Sequence, residues 1–538
     1  MAETETFQDR LEALRLNPNA IEEVRVEYDG ETKVIPNVDG KRGSLLVFSA
    51  ITSNDGRISP EAARKGLGIF GEELRAEAKR VPGKHPNIDL LENIAETGTT
   101  APCDVVRKDS FKPMPDGLNR EGLERIAREF GTPFIIYDEK GIRQTLRGIN
   151  SAFAWNPGFR EFFAVKACPN PYILEICAQE GAGADCSSAP ELVLADAVGM
   201  KKEKIMFTSN NTSADEFREA KDLGAIINFD DISHIPFFEK YAGRLPELAC
   251  VRFNPGPERV GNSIIGTPEE AKYGLTRKQV FEAFRMMQAK GVKRFGLHTM
   301  VASNELNKEY HIETAVMLFE LAKQVKQETG IDVEFVNTGG GWGVNYKPEQ
   351  RPISPREIGE GVKDAYDRIV TANGLKPINI LMENGRFVTG PNGWLVMRAR
   401  HHKDIYRQHI GVDATMADFM RPGVYGAYHH LVVPGKENEP HNQVYDVGGS
   451  LCEGCDKFGV QRPLPKIETG DLVVLCDAGA HGRAMGFNYN AKLRCGELLL
   501  KREGAERIRR AETQEDYFAT LNFPGSRFGD LAHDLNVM

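Results

Sequence analysis

Between Glu161 and Glu383 the chain alternates short apolar, β-branched or aromatic runs with longer segments of helical pattern. The runs are EFFAV, AGADC, KIMFT, AIINF, LACVRF, RFGLH, VEFVNT and INILME, each the length of a buried strand. Between most of them lie helical patterns such as PYILEICAQE, APELVLADAVGM, SADEFREAKDLG, TRKQVFEAFRMMQAKG and YHIETAVMLFELAKQVKQETG. Strand–helix alternation predicts a parallel sheet. Eight such units in succession fit a closed (β/α)8 barrel of the TIM type, with an open doubly wound sheet as the competing arrangement.

The pattern changes on both sides of this region. After about residue 395, WLVMRARHHKDIY, HHLVVPG, NQVYDVGGS, DLVVLCDAG and AKLRCGELLLKRE are separated by Gly, Pro, Asp and Asn turns, which predicts a mostly β domain. Ahead of the barrel, EVRVEYDGETKVIPNV predicts a hairpin turning at Asp29-Gly30. SPEAARKGLGIFGEELRAEAKRV predicts a helix capped by Ser59 with Pro60 at its first position. ETGTTAPCDVVRKDSFKPMPDG reads as a linker. The expected organisation is an α+β extension of undefined role over 1–115, the barrel over 116–395, and the mostly β domain over 396–538, with residues 120–150 as candidates to join that last domain.

Composition narrows the function class. The 538 residues are 41% hydrophobic and 27% charged, a globular composition. Seventy-seven acidic against 68 basic residues leave a net charge of −9, which argues against nucleic-acid binding because there is no basic excess to neutralise phosphates. No apolar run approaches a membrane span, and MAETETFQDRLEALRL lacks the basic head and apolar core of a secretory signal. Nine scattered cysteines predict reduced thiols in a cytoplasm-like compartment. Cys452 and Cys455 form a C-x-x-C with no second pair at finger spacing, so no metal site is expected.

In a barrel, reactive groups gather at the C-terminal ends of the strands. The first strand runs into Lys166, the sixth ends at His298, the seventh leads into Gly339-Gly340-Gly341-Trp342-Gly343, and the last ends at Glu383 with Arg386 three residues on. Consecutive glycines let backbone N–H groups approach an anion, or serve only as a flexible turn. Glu383 could simply pair with Arg386. Together, an amine, an anion cradle and a carboxylate are what pyridoxal phosphate needs: a lysine for its aldehyde, amides for its phosphate and a carboxylate at its pyridine nitrogen.

At this point the text resembles a known family, the fold-type III (alanine-racemase-like) pyridoxal phosphate decarboxylases, most closely diaminopimelate decarboxylase. The resemblance runs from about Gly117 to Asn490 and is carried by FFAVKACPNPYILEICAQEGAGADCSSAPELVLADAVGM, TGGGWGVNY, MENGRF, VDATMADFMRPGVYGAYHH, SLCEGCDKFG and AGAHGRAMGFNYN. It implies that Lys166 is the Schiff-base lysine and that Gly340 and Gly341 hold the phosphate. Glu383 then meets the pyridine nitrogen, with Met300, Ser303, Asn384, Gly385, Arg386 and Tyr489 as further cofactor contacts. It implies Arg386, Arg421, Tyr425, Glu453 and Tyr489 as substrate contacts and Cys452 as proton donor. It further implies a homodimer in which the Cys452 segment enters the neighbouring barrel. Cys452 as a small buried apolar residue is the competing role. Three positions depart from the family text: Met300 stands where a ring-stacking histidine is usual, Asn384 where proline is usual, and His481 where tyrosine is common. The implied reaction is decarboxylation of meso-diaminopimelate to L-lysine. D-lysine or D-ornithine as substrate, an inactive regulatory homologue and a racemase are the alternatives.

Overall fold

The computed structural model describes residues 6–14, 21–53, 56–107, 112, 114, 115, 117–260, 266–437, 439 and 441–521. The chain divides into two compact units, one of Met1–Arg120 with Val432–Val444 and Pro463–Ile467, the other of Glu121–Leu431, Tyr445–Arg462 and Glu468–Met538.

The first unit holds a four-stranded antiparallel sheet of order β2-β1-β4-β3, where β1 is Ile21–Tyr28, β2 Glu31–Pro36, β3 Arg57–Ile58 and β4 Ala101–Arg107. The predicted hairpin is present, and its turn residues Asp29 and Gly30 both take positive φ (54° and 76°), as a two-residue turn matched to strand twist requires. The helix Pro60–Arg80 begins where expected, with Ser59 accepting the Ala62 N–H. The expected linker is corrected in part. Its Ala101–Arg107 stretch is an interior strand pairing with both β1 and β3, because Ala101 and Cys103 face a core containing Val24, Val26, Leu45, Phe48 and Leu91. Residues 108–111, 113 and 116 of that stretch lie outside the described residues.

In the second unit, β5 (Phe134–Asp138) precedes eight strands: β6 Arg160–Ala164, β7 Gly183–Cys186, β8 Ile205–Phe207, β9 Ile226–Phe229, β10 Leu248–Arg252, β11 Arg294–His298, β12 Phe335–Asn337 and β13 Asn379–Met382. All are parallel, and β13 pairs with β6 to close the barrel. The open-sheet alternative is therefore excluded. Phe162, Met206, Ile226, Leu248, Cys250, Phe335 and Leu381 fill the interior. Glycines make room for the rings: a Cβ on Gly296 would lie 2.1 Å from the Phe335 ring and one on Gly183 2.6 Å from the Phe162 ring.

The remaining strands are β14 Gly393–Asp404, β15 Gln408–Val412, β16 Leu431–Val432, β17 Gln443–Gly448, β18 Lys457–Leu464, β19 Leu472–Leu475, β20 Gly496–Lys501 and β21 Gly504–Arg509. They form a sheet of order β18-β17-β15-β14-β5-β20-β21, with β19 on β14 and β16. β5 lies between β14 and β20, so residues ahead of the barrel do enter the mostly β region. Among the described residues no helix is long and apolar enough to cross a membrane.

Candidate active site

The strand register brings the polar groups together. Ala164 of β6 lies opposite Asp185 of β7, and Lys166 follows two residues later in a short 3-10 turn, Val165–Ala167. His298 of β11 is opposite Asn337 of β12, and Asn337 is opposite Leu381 of β13. Side chains two apart on a strand share a face, so Glu383 comes up beside Asn337 and His298.

A cavity of about 820 Å³ opens here, within the range of small-molecule sites. Lys166 projects into it with 55% of its side chain accessible, and its Nζ lies 3.5 Å from Asp185 Oδ2. The Asp185 and Glu383 charges keep the ammonium favoured against the opposing effect of burial. Asp185 is itself buried, and its Oδ1 has no hydrogen-bond partner. Burial, reinforced by Glu383 and opposed by Lys166, pushes its carboxyl up to about 7.

Glu383 accepts from Asn337 Nδ2 at 2.6 Å on one oxygen, and His298 Nε2 lies 3.0 Å from the other. Burial opposes ionisation of Glu383. His298, Lys166 and Asn337 outweigh it and hold the carboxyl below its ordinary range. His298 Nδ1 is buried without a hydrogen-bond partner. His298 therefore belongs to the Glu383 carboxylate. Met300, at the position of the family's stacking histidine, places its sulfur 3.3 Å from the Gly340 N–H.

The glycine loop is packed too tightly for side chains. A Cβ at Gly340 would sit 2.1 Å from the Glu383 carbonyl oxygen, and one at Gly341, whose φ is 93°, 2.4 Å from the Ala302 carbonyl. Gly340→Ala is therefore expected to push the loop off the Glu383 backbone and weaken cofactor uptake at least tenfold, roughly the effect of a small core overpacking. The check is the pyridoxal phosphate content of the purified variant beside the parent.

A cationic wall completes the cavity. Arg386 is buried, donating from Nη1 to the Tyr346 hydroxyl at 3.1 Å and from Nη2 to Ser303 Oγ at 3.5 Å. Arg421 is buried over the Tyr346 ring, 5.5 Å from its centroid, and its Nε–H donates to His429 Nε2 at 3.4 Å. Its terminal nitrogens make no hydrogen bond among the described residues. Tyr425, exposed, also lines the cavity. His481 lines it too, and burial, together with the charges of Arg386, Arg421 and Lys166, drives its imidazolium well below the ordinary range, so it is neutral at pH 7.

The structure brings together Lys166, Met300, Ser303, Gly341, Glu383, Gly385, Arg386, Arg421 and Tyr425 on this cavity. It does not bring Cys452, Glu453 or Tyr489 to it. Cys452 and Glu453 are exposed, with the Cys452 N–H held by Asn490 Oδ1 at 2.7 Å, and Tyr489 is 49% exposed. Within its own chain Cys452 is therefore not part of an apolar core. Asn384 has its backbone N–H, side-chain amide and side-chain oxygen all bonded to protein. Asp185, Asn337 and Tyr346 are site residues that sequence reasoning passed over. The first two stand at strand ends and were findable there.

Comparison with known proteins agrees with this geometry. The family described as "Pyridoxal-dependent decarboxylase, pyridoxal binding domain" matches residues 140–390, and one described as an uncharacterized protein conserved in bacteria matches residues 7–105. Protein TabA of Pseudomonas amygdali pv. tabaci is 40% identical over 74% of this chain and 94% of its own length. The diaminopimelate decarboxylase of Methanothermobacter thermautotrophicus is 31% identical over 74% of this chain and 94% of its own. The crystal structure of diaminopimelate decarboxylase from M. jannaschii in complex with L-lysine superposes with a TM-score of 0.69 at 28% identity, covering 74% of this chain and 94% of that one. The chain therefore belongs to the pyridoxal 5′-phosphate-dependent decarboxylases, in the diaminopimelate decarboxylase family, and is a carboxy-lyase.

Proposed function

We propose that the enzyme decarboxylates an amino acid bearing a second, distal carboxylate, with meso-diaminopimelate to L-lysine as the leading reaction. The observation that carries this reading is the buried Arg421 guanidinium, its Nε held by His429 and its terminal nitrogens left for a ligand on the same cavity as Lys166. A planar guanidinium edge suits a carboxylate.

The residues present fit the cofactor. An amine, a glycine loop, the Ser303 hydroxyl and an ionised carboxylate share one cavity of adequate size. Lys166 would take the aldehyde carbon, Gly340, Gly341 and Ser303 the phosphate, and Glu383 the ring nitrogen, with Met300 against the ring. When bound, the cofactor supplies the electron sink for the pair left behind by CO2. The chain's part is to position charge. His298 and Asn337 keep Glu383 ionised, Asp185 holds the Lys166 ammonium, and Arg386 and Arg421 orient the substrate by its distal carboxylate. Cys452, with Glu453 and Tyr489, completes the site from a second copy of the chain and returns the proton. The exposure of all three away from their own cavity supports a dimer with shared sites.

A second reading, a related amino acid as substrate, is favoured by Met300 and by the 40% relative, which carries the name TabA instead of diaminopimelate decarboxylase. CO2 release measured with meso-diaminopimelate, D-lysine, D-ornithine and L-ornithine separates the two. Release from meso-diaminopimelate alone is the expected result. Release from any of the others with none from meso-diaminopimelate sinks the leading reaction.

A further inference from the structure

Asn384 occupies a crossing point of the three loops that hold the cofactor. Its backbone N–H donates to Glu161 Oε1 at 2.5 Å and its Nδ2 to Glu161 Oε2 at 3.2 Å, while its Oδ1 accepts the Trp342 N–H at 3.3 Å. Glu161 lies on β6, the strand leading to Lys166; Trp342 follows directly on Gly341; and Asn384 is the neighbour of Glu383. The same crossing is tight elsewhere. A Cβ on Gly340 would lie 3.3 Å from Asn384 Cα, and one on Gly385 2.7 Å from Ala167 Cβ and 3.1 Å from Ala164 Cβ.

We infer that Glu161 and Asn384 are positioning residues that lock the Lys166 turn, the glycine loop and the Glu383 turn into one cofactor-binding arrangement. Several observations bear on this. Glu161 is 1% exposed and Asn384 1%, so neither touches solvent. A buried carboxyl is costly unless its hydrogen bonds are made, and both Glu161 oxygens meet an Asn384 donor. Burial, opposed by the two Asn384 donors and reinforced by Glu383 and Asp185, pushes the Glu161 carboxyl up to about 8. A proline at 384, the residue the family resemblance leads one to expect, has no N–H to give Glu161 and no side-chain acceptor for the Trp342 N–H. The sequence therefore replaces a ring that fixes the turn covalently with a hydrogen-bonded bridge between loops. Both polar atoms of the Asn384 side chain are bonded within the protein, and Asn384 does not line the cavity, so its role runs through its neighbours.

The inference rests on the reading that Lys166, the glycine loop and Glu383 hold pyridoxal phosphate. It is tested by titrating pyridoxal 5′-phosphate into cofactor-free protein and following the visible band of the bound cofactor, in the parent, Asn384→Ala, Glu161→Gln and the double variant. Glu161→Gln keeps the volume and one acceptor but puts an amide NH2 against Asn384 Nδ2. Each single variant is expected to weaken pyridoxal phosphate binding about tenfold: Asn384→Ala removes the side-chain hydrogen bonds to Glu161 and Trp342, and Glu161→Gln the one to Asn384 Nδ2. The double variant is expected to lose about tenfold too, because both changes break the same bridge. Thermal midpoints of the cofactor-free proteins, taken in parallel, are expected to differ far less than the affinities do. Binding within twofold of the parent in either single variant overturns the inference. So do multiplicative losses in the double variant, or affinity losses that track the thermal midpoints. If the parent itself binds no pyridoxal phosphate, the site reading fails instead.

Discussion

Lys166→Ala is expected to lower kcat by at least ~10³-fold and to remove the visible absorbance band of the bound cofactor, while leaving the barrel folded. The fold tolerates the change because the Lys166 side chain projects into an open cavity and packs against little; its one recorded polar contact is Asp185 at 3.5 Å. The chemistry does not tolerate it, because among the described residues Lys166 is the lysine paired with Asp185 and acting on Glu383. A second expectation separates the two proposed halves of the site. Lys166→Ala and Cys452→Ala are each expected to be inactive alone. Mixed as dissociated chains and reassociated, they should recover about one quarter of the parent activity, since half of the dimers are mixed and each of those carries one intact site. No recovery, with exchange of chains confirmed, rules out sites shared between subunits.

The barrel was legible because it rests on a simple periodicity. All eight strands between Glu161 and Glu383 are where the apolar runs put them, since a strand buried on both faces reads as a near-continuous apolar run. What escaped was β4. In Ala101–Arg107 the alternation is short, its outward positions are Pro102 and Asp104, and threonines precede it, so turn-forming residues outweighed two inward positions, Ala101 and Cys103. Pairing with β1 on one side and β3 on the other makes it a strand, and that partnership across the unit is invisible to a local window.

The site was legible where function needs a distinctive residue at a strand end, as at Lys166 and Glu383. It was less so where function depends on which neighbour a residue meets. Asp185, one residue before the end of β7, and Asn337, the last of β12, stand out as plainly as Lys166 does, but an acid or an amide there has many uses. Only the register, Ala164 opposite Asp185 and His298 opposite Asn337, gives them theirs. His298 is the sharpest case: its place in the text does not say which way its ring faces, and the fold turns it onto the carboxylate of Glu383. Asn384 reads as a loss of proline in the sequence and as a gain of three hydrogen bonds in the structure.

Arg421→Met is expected to lower kcat/KM for meso-diaminopimelate by ~150-fold, with most of the loss in KM. Removing one member of a buried charge pair costs about 3 kcal/mol, which is that factor. Methionine keeps much of the volume packed on the Tyr346 ring, so the change tests the guanidinium and not the packing. The direction follows from the surroundings. Burial and the nearby Arg386 charge disfavour a second cation here, and only Tyr346 and Tyr425 oppose them. A buried guanidinium with no carboxylate partner among the described residues is costly to maintain. A substrate carboxylate relieves that cost, which is why binding should depend on it so strongly. The same variant should discriminate little against an amino acid lacking the distal carboxylate, so the ratio of kcat/KM between meso-diaminopimelate and D-lysine collapses. Equal losses for both substrates would move Arg421 from recognition to support of the fold, and the preference for a diacid would then have to come from Arg386 alone.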